Sequence, residues 1–373
     1  MLTNSAATAI ITQEWKDALA QQHSFALWKL PHSDHIQLII NTKANSTQKP
    51  IFNEIKPGFV FSPFNNPFLK DTIFIAAEKQ YTFCDLSMME QPDFVNEQSD
   101  LSHIQKFEAT QVFFEKIVKE GIALISKKTL KKIVLARCKS IRYQSDYHPI
   151  NHFIKLCNAY KNTFVSLVYT PTSGAWIGAT PEVLLHLQDN GLLKTVALAG
   201  TQLFDPKVDP KQAIWRQKEI EEQALVSRYI IECFKKVRVR EYEDIGPRTI
   251  VAGNLMHLKT DFTVDTLAID YPHLGTSMLE LLHPTSAVCG MPKLEAAQTI
   301  HDKEQFDRSY FSGFIGPVNI QQQSDLYVNI RCMQLGQNQA YVYAGAGITE
   351  DSEPENEWVE TEIKMKTILV DMF

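Results

Sequence analysis

The chain has 373 residues, 44% of them hydrophobic, which is enough for a sizeable buried core in one or two domains. With 37 basic and 43 acidic residues the net charge is −6, and no long run of lysine or arginine indicates a nucleic-acid or membrane surface. The six scattered cysteines form no CxxC pair, as is typical of reduced thiols in a cytosolic protein. No basic, apolar signal peptide and no stretch of transmembrane length are evident.

The first hundred residues predict strands and loops, because short apolar runs at 36–40 and 71–77 are separated by NNPF and KPGF breaks. A helix is then predicted to begin near Ser102, which could form a capping box with Gln105, and to continue at helical spacing to Ile125. The lysines at 127–132 indicate, by composition alone, a solvated helix end.

The pattern changes at KIVLARCKSIRY, which starts at Lys132 and predicts a buried strand. Further strands are predicted at 164–169, 183–187, 192–198, 326–335 and 340–348. A long helix without glycine or proline is predicted from about 211 to 236, and a closing helix at NEWVETEIKMKTILVDMF. No linker or repeat divides the chain, so the pattern predicts one α+β domain.

Several common motifs are absent from the sequence. GAG at 345–347 resembles the start of a dinucleotide fingerprint, but Glu350 stands where the third glycine should be. There is no Walker A loop, no HExxH, no GxSxG and no histidine cluster at zinc spacing.

Pairs of carboxylates occur on both predicted C-terminal-half helices. Glu219 and Glu222 share a helix side that continues as an apolar stripe, and Glu357 and Glu360 share a side with Lys364. Two such pairs that meet across a cleft would suit Mg²⁺, which prefers oxygen ligands. Spacing alone also fits solvated helices with an ordinary Glu360–Lys364 ion pair.

Two charged residues flank apolar strands. Lys132 opens the strand IVLA, and Glu182 follows a Thr-Pro turn before VLLHL. Partly buried lysines can serve as bases, and partly buried glutamates can serve as acids. Both residues could equally be charges that mark strand ends.

Further candidates lie at strand ends and turns. Ala199-Gly200-Thr201 ends a strand at a turn whose backbone N–H groups could hold a carboxylate. Arg331, inside the predicted strand VNIRC, needs an anionic partner, either a protein or a ligand carboxylate. His257 and His283 lie beside predicted turns, where each could be a hydrogen-bonded core histidine.

Taken together, these segments resemble the chorismate-binding enzymes, which include isochorismate, salicylate, anthranilate and aminodeoxychorismate synthases. The resemblance extends over about residues 105–370 and only weakly over the first hundred. The matching segments, in the family's order, are KIVLAR (132–137), IGATPEVLL (177–185), LAGT (198–201), KEIEEQALV (218–226), LMHLKT (255–260), LLHPTSAVCGMPK (281–293), FDRSYFSGFIG (306–316), VNIRC (328–332), YAGAGI (343–348) and EPENEWVETEIK (353–364).

The resemblance implies a single domain with a large antiparallel β-sheet sandwich and helices outside it. Residues 1–100 would be a variable N-terminal part of that fold, and residues 101–373 the chorismate-binding catalytic region. It further implies that Glu222 and Glu360 bind Mg²⁺ directly, while Glu219 and Glu357 act near the metal or through water.

Substrate and catalytic roles are also implied by the matches. Lys132 matches the lysine that activates water, and Glu182 matches the general acid. The matches for substrate binding are Gly200, Thr201, His257, Arg331, Tyr343, Gly345 and Lys364. Isochorismate formation adds water at C2 of chorismate and expels the C4 hydroxyl, with Mg²⁺ on the ring carboxylate and an arginine on the other.

Four positions separate the subfamilies. Anthranilate synthases typically have glutamine in place of Lys132, and aminodeoxychorismate synthases have lysine in place of Ala199. Salicylate synthases, which go on to eliminate pyruvate, tend to have Tyr and Leu in place of Phe311 and Ile330. The residues here favour an isochorismate synthase, with a salicylate synthase and a non-catalytic chorismate-binding protein as the alternatives.

The same matches bear on partners and pathway. No glutaminase subunit, nucleic acid or membrane is expected to take part. Monomers are common among such enzymes, but the oligomeric state stays open. Isochorismate feeds either menaquinone or siderophore biosynthesis, and the sequence does not choose between them.

Overall fold

The computed structural model describes residues 4–84, 101, 103–144, 147–205, 209–252 and 255–370. In these ranges the helices are α1 (Asn4–Gln21), α2 (Gln111–Ser126), α3 (Pro149–Ala159), α4 (Gln217–Lys236), α5 (Leu274–Leu282), α6 (Lys293–Lys303) and α7 (Pro354–Lys366). The strands are β1 (Ser24–Lys29), β2 (His35–Asn41), β3 (Ser46–Thr47), β4 (Gly58–Ser62), β5 (Ile73–Ala76), β6 (Lys79–Cys84), β7 (Lys132–Arg142), β8 (Phe164–Thr170), β9 (Gly174–Thr180), β10 (Val183–Gln188), β11 (Leu192–Leu203), β12 (Glu243–Ala252), β13 (Leu255–Asp265), β14 (Gly290–Met291), β15 (Phe314–Val318), β16 (Gln323–Val328), β17 (Cys332–Leu335) and β18 (Gln339–Ile348).

Two antiparallel sheets of nine strands form the centre of the fold. One has the order β14-β7-β18-β17-β9-β8-β1-β2-β6, and the other β12-β13-β11-β10-β16-β15-β4-β5-β3. The two inner faces pack together through aromatic residues, since Trp28 contacts Phe59 and Phe61 contacts Trp176 at ring-centroid distances of 5.1 and 6.1 Å. The predicted α+β sandwich is therefore confirmed.

Helices cover the outer faces of both sheets. α4 packs on the second sheet through the predicted apolar stripe of Val226, Tyr229, Ile230 and Cys233, and α5 joins the same core through its own apolar residues. α1 and α3 cover part of the first sheet, and α2, α6 and α7 share another core with β7 and β18. None of the described helices is long and apolar enough to cross a membrane.

The first 84 residues contribute strands to both sheets. β1, β2 and β6 extend the first sheet beyond β8, while β4, β5 and β3 extend the second beyond β15. The predicted runs at 36–40 and 71–77 correspond to β2 and β5. All six cysteines are free, and five of them are buried.

Two predicted helix starts were wrong. α2 begins at Gln111, where the hydroxyl of Thr110 accepts a hydrogen bond from the Phe113 N–H and caps the helix; Ser102 lies outside the described residues. α4 begins at Gln217 instead of about 211, because the Glu219 carboxylate accepts from the Arg216 N–H and fixes the helix start there.

The predicted strand at 326–335 was also wrong in one respect. It is two strands, β16 and β17, which lie in different sheets. Arg331 stands between them with a φ of 50°, a conformation that ends a regular strand. The chain crosses from one sheet to the other here, so Arg331 lies at the junction of the two sheets.

Candidate active site

A cavity of about 650 Å³, including its open mouth, lies where α4 and α7 meet the junction of the two sheets. Its lining comes from β7, β11, β13 and β18, from both helices and from the loops before β10, β14, β15 and β17. Nine residues predicted for the site line this cavity: Glu182, Gly200, Thr201, Glu222, His257, Arg331, Tyr343, Gly345 and Lys364.

Lys132 lies directly behind one wall of the cavity. As predicted, it opens a buried strand, and its side chain is fully buried. Its Nζ lies 2.8 Å from Oε1 of Glu222. The other lysines of the same basic stretch, at 127, 128 and 131, are exposed as composition suggested. One lysine of the stretch is therefore turned inward against a carboxylate of the site.

The Glu222 carboxylate is held from two sides. Oε2 accepts a hydrogen bond from the Gly200 N–H at 3.1 Å, and Oε1 faces Lys132. Burial raises the pKa of Glu222, but the ammonium groups of Lys132, Lys364 and Lys218 outweigh burial and lower it to about 2. Glu222 is consequently an anion at any physiological pH.

Gly347 makes this approach possible, and the sequence analysis missed it. A Cβ atom at position 347 would overlap Oε1 of Glu222 and would lie 3.3 Å from Cε of Lys132. The GAG sequence at 345–347 was considered only as a nucleotide motif and rejected. Its second glycine instead leaves the space that the Lys132–Glu222 pair occupies.

The α7 carboxylates form a second charged cluster. Glu357 is fully buried and accepts a short hydrogen bond from Lys218, whose Nζ also lies 4.0 Å from Glu360. Glu360 accepts from Lys364 at 2.6 Å, and Lys364 in turn donates to the Gly345 carbonyl at 2.9 Å. Burial and the neighbouring Glu360 raise the pKa of Glu357 to about 7, against the lowering influence of Lys218.

Lys218 is the second residue that the sequence analysis missed. It immediately precedes Glu219 on α4 and reaches across to α7. Its function as a bridge between the two helices depends on tertiary structure, so a helical pattern alone gives no signal for it. Glu219 itself uses one oxygen to cap its own helix.

Glu182 lines the same cavity from the loop between β9 and β10. Its side chain is buried, and burial raises its pKa to about 7 against the lowering influence of Lys132, Thr285 and Arg331. Oε1 accepts a hydrogen bond from the Thr285 hydroxyl at 3.4 Å. Glu182 is thus a carboxyl group that can be protonated near neutral pH.

Arg331 is a buried cation whose contacts within the described residues are all neutral. Nη1 donates to the Thr367 hydroxyl at 3.1 Å, and Nη2 lies 3.5 Å from Nε2 of His257. No described carboxylate lies within 4 Å of its guanidinium, although Glu360 and Glu182 influence it from farther away. Of the two partners left open by the sequence, the arrangement favours a ligand anion.

His257 is held as a neutral imidazole. Its Nδ1 lies 2.8 Å from the Gly200 carbonyl, which can only accept, so Nδ1 donates and Nε2 faces Arg331 as an acceptor. Burial and Arg331 lower its pKa to about 3. His283, in contrast, packs against Phe314 and lies outside the cavity lining.

The Gly200 region differs from the predicted turn. β11 continues to Leu203, and its register with β13 shifts between Ala199 and Gln202, so the segment is a bulge inside a strand. Gly200 has a φ of +69°, which favours glycine. The bulge directs the Gly200 N–H to Glu222 and its carbonyl to His257.

Tyr343 lines the cavity with its ring only. Its hydroxyl donates to Gln334 at 3.2 Å, and the ring stacks with Phe311 and Trp176 at centroid distances of 5.3 and 5.4 Å. The apolar part of the cavity wall also includes Ile330. A planar, partly unsaturated ring would fit against such a wall.

Of the four carboxylates predicted to act at a metal ion, Glu222 lines the cavity, whereas Glu219, Glu357 and Glu360 lie outside its lining. Within the described parts of the chain, no group of three His, Cys, Asp or Glu residues is close enough to hold a metal alone. Mg²⁺ usually takes only one or two protein carboxylates and completes its shell with water or substrate oxygens. The carboxylate oxygens of Glu222 and Glu360 are ligands of the type that such an ion prefers.

Comparisons with known proteins show which family the chain is similar to. Residues 70–372 match the model of the chorismate binding enzyme family. Isochorismate synthase EntC of Escherichia coli (strain K12) is 30% identical over 264 residues, which cover 69% of this chain and 66% of that protein. The vibriobactin-specific isochorismate synthase of Vibrio cholerae serotype O1 is 33% identical over 200 residues, or 52% and 49% of the two chains.

The fold is also that of solved structures. The menaquinone-specific isochorismate synthase MenF from Escherichia coli superimposes with a TM-score of 0.75 at 20% identity, over 95% of this chain and 90% of that chain. The sequence alignments with the curated relatives, in contrast, span less than two thirds of those proteins' own lengths.

Proposed function

The chain belongs to the chorismate binding enzyme family, and we propose that it is an isochorismate synthase. It would add water at C2 of chorismate and release the C4 hydroxyl. One observation supports this best: a buried carboxyl group with a pKa of about 7 faces the same cavity as a buried arginine with no described carboxylate beside it. The cavity therefore offers a proton and a site for an anion together.

Glu182 would be the general acid. A hydroxyl group leaves easily only when it is protonated, and a carboxyl group with a pKa near 7 is well matched to donate that proton at neutral pH. The Thr285 hydroxyl, which donates to Oε1, would leave Oε2 as the oxygen that carries the proton.

Lys132 would be the base that accepts a proton from the attacking water. A base must be within hydrogen-bond reach of its water, but such contacts often tighten only when substrate is bound. Lys132 lies behind Glu222, so the carboxylate that pairs with it also separates it from the cavity. Before it can act as a base, the Lys132 ammonium must first give its own proton to solvent. Movement of Glu222 toward a cation in the cavity would remove the carboxylate that pairs with this ammonium and would so favour the neutral amine that the role needs.

The two carboxylates of chorismate need two separate positive sites. We assign one to Arg331, because Thr367 and His257 orient its guanidinium and leave its charge unpaired among the described residues. A neutral His257 adds no competing charge. Gly200, Thr201, Gly345 and Lys364 would form the remaining polar contacts of the bound dianion.

The ring carboxylate is assigned to Mg²⁺. Glu222 and Glu360 would hold the ion, with Glu219 and Glu357 acting through water. When bound, Mg²⁺ supplies the positive charge that stabilises an anion developing in the ring. Glu357 is buried beside Glu360, so a cation held by Glu360 would add to Lys218 in offsetting the like charge of these two carboxylates.

The alternative, salicylate synthesis, concerns residues at the same cavity. Phe311 and Ile330 both line it, and salicylate synthases tend to have Tyr and Leu at these positions. Phe311 lacks the hydroxyl group of that tyrosine and Ile330 differs from leucine in its branching, and by this resemblance the two side chains favour release of isochorismate over further elimination of pyruvate. The pathway that uses the product stays open.

Product analysis tests the proposal. Purified protein is incubated with chorismate and Mg²⁺, or with EDTA, and the products are separated by chromatography. We expect a reversible mixture of chorismate and isochorismate with Mg²⁺ and no conversion with EDTA. As a control for Lys132, the variant Lys127→Ala changes an exposed lysine of the same basic stretch and should behave as the wild type. Salicylate with pyruvate, or no turnover of a folded protein, would contradict the proposal.

A further inference from the structure

We infer that Lys293 is a positioning residue that fixes the catalytic acid and base relative to each other. It would do so by hydrogen bonds that join the end of residues 283–293 to their start, a closure of what is called here the bridging segment. The inference rests on the proposed roles of Glu182 and Lys132. Lys293 lies outside the cavity lining, so it would act through its neighbours and not on the substrate.

The bridging segment contacts the acid at one end and the base at the other. Near its start, the Thr285 hydroxyl donates to Glu182. Near its end, Gly290 and Met291 form β14, which pairs with Ile133 and Lys132 of β7. The Met291 carbonyl also accepts from the Lys131 N–H at 2.7 Å. A shift of this segment would therefore change both groups at once.

The contact with β7 leaves no room for adjustment. Gly290 has a φ of +148°, and a Cβ atom there would lie 2.5 Å from the Lys132 carbonyl oxygen. Between its two ends, the segment contributes Ala287 and Val288 to the cavity wall. Its position therefore also affects the shape of the cavity.

Lys293 joins the end of the segment to its start. Its Nζ donates to the Leu281 carbonyl at 2.8 Å and to the His283 carbonyl at 2.6 Å. Both carbonyls belong to the C-terminal end of α5, where helix carbonyls lack helical partners and attract cations. The hydroxyl of Tyr229 donates to the same Leu281 carbonyl at 2.6 Å.

Burying an ammonium group costs free energy, and an ordinary surface lysine does not incur this cost. Lys293 is half-buried, and no described carboxylate lies within 4 Å of it. Burial lowers its pKa to about 8. Its ammonium group is thus stabilised by the backbone carbonyls of Leu281 and His283. Because these carbonyls closely precede Thr285 in the chain, their position sets the position of Thr285.

Kinetics of four variants test the inference. We expect Lys293→Met and Thr285→Val each to lower kcat about tenfold while the KM for chorismate changes less than about threefold, since small displacements of a catalytic group affect the chemical step. Thr285→Ser, which keeps the hydroxyl, should restore most of the loss. Lys303→Met is the matched control, because it removes an exposed ion pair from the same helix.

A double variant separates positioning from a general loss of stability. Because Lys293 would act on Glu182 through Thr285 and on Lys132 through β14, Lys293→Met combined with Thr285→Val should be slower than either single variant, but by less than the product of their two losses. Losses that multiply would overturn the inference, as would wild-type kcat in Lys293→Met. If Lys293→Met does not fold, Lys293→Gln, which keeps an N–H donor, replaces it in the same comparison.

Hydrogen exchange tests the closure independently of turnover. In Lys293→Met, the amides of Lys131, Val134, Val288 and Cys289, which donate within or toward the bridging segment, should exchange faster than in wild type and in Lys303→Met. Unchanged exchange at these amides would refute the closure even if chorismate is not the substrate. Absence of wild-type turnover with faster exchange would instead refute only the proposed function.

Discussion

The space around the Lys132–Glu222 pair allows a sharp test with one methyl group. In Gly347→Ala, the new Cβ would overlap Oε1 of Glu222 and lie 3.0 Å from its carboxyl carbon. Carbon atoms in contact need about 3.5–4.0 Å, so the carboxylate must retreat by about 0.5–1 Å. The backbone at Gly347 has no positive φ, so alanine adds no backbone strain and the effect is purely steric.

This retreat should separate Glu222 from Lys132 and from the Gly200 N–H. We expect a loss of about 1–3 kcal/mol in the free energy of unfolding, as for an overpacked core site. A catalytic group displaced by about 1 Å can lose roughly 100-fold in rate, so kcat should fall by about that factor. Chorismate turnover measures the change in kcat, and urea unfolding measures the change in the free energy of unfolding.

Gly121→Ala is the matched control for the Gly347 variant. Gly121 lies on α2, and its Cβ would lie 3.3 Å from the side chain of Ile133, the neighbour of Lys132 on β7, without reaching a charged group. We expect activity close to wild type in this variant. If Gly347→Ala kept kcat within about threefold of wild type, then either Glu222 or its pairing with Lys132 would not matter for the reaction, and the assigned base and metal site would both lose their support.

Three further predictions concern single groups of the cavity. Lys132→Ala should abolish water addition yet keep Mg²⁺ binding, because Glu222 loses only the ammonium group that competes with the metal for its carboxylate. Calorimetry measures the metal binding, and loss of the metal would make the assignment wrong. Glu182→Gln should lower kcat about 100-fold or more. Since Glu182 donates a proton only when it is protonated, wild-type kcat should fall as pH rises through about 7. If the residual kcat of Glu182→Gln fell over the same pH range, Glu182 would be excluded as the general acid. Arg331→Gln should raise KM by roughly 30-fold, from about 2 kcal/mol of charged hydrogen bonds, and an unchanged KM would assign the carboxylate elsewhere.

Local sequence patterns were sufficient for much of the fold. The apolar stripe of α4, from Val226 to Cys233, follows from helical periodicity, and the buried strand after Lys132 follows from its β-branched run. These elements were predictable because their burial depends on one face of one segment. The helix starts were less predictable, since capping by Thr110 or Glu219 is decided among several polar residues of similar propensity.

The site depended on information that no single segment contains. The conformation of Arg331 arises because the chain changes sheets there, and a strand pattern continues through this point without interruption. The bulge at Gly200 is similar, because its register shift depends on the partner strand β13. Contacts of Lys218 and Gly347 join segments far apart in the chain, so only the resemblance to a family could have indicated them in advance.

The pairing of charges in the cavity bears on how a dianion would enter it. Lys132, Lys218 and Lys364 are each paired with Glu222, Glu357 or Glu360. Arg331 is the exception among the cavity's described cations, because it has only neutral partners. A carboxylate can therefore bind Arg331 without displacing a protein carboxylate. Binding at the lysine cluster requires a rearrangement of existing ion pairs, which is the kind of change that a divalent cation at Glu222 and Glu360 would produce.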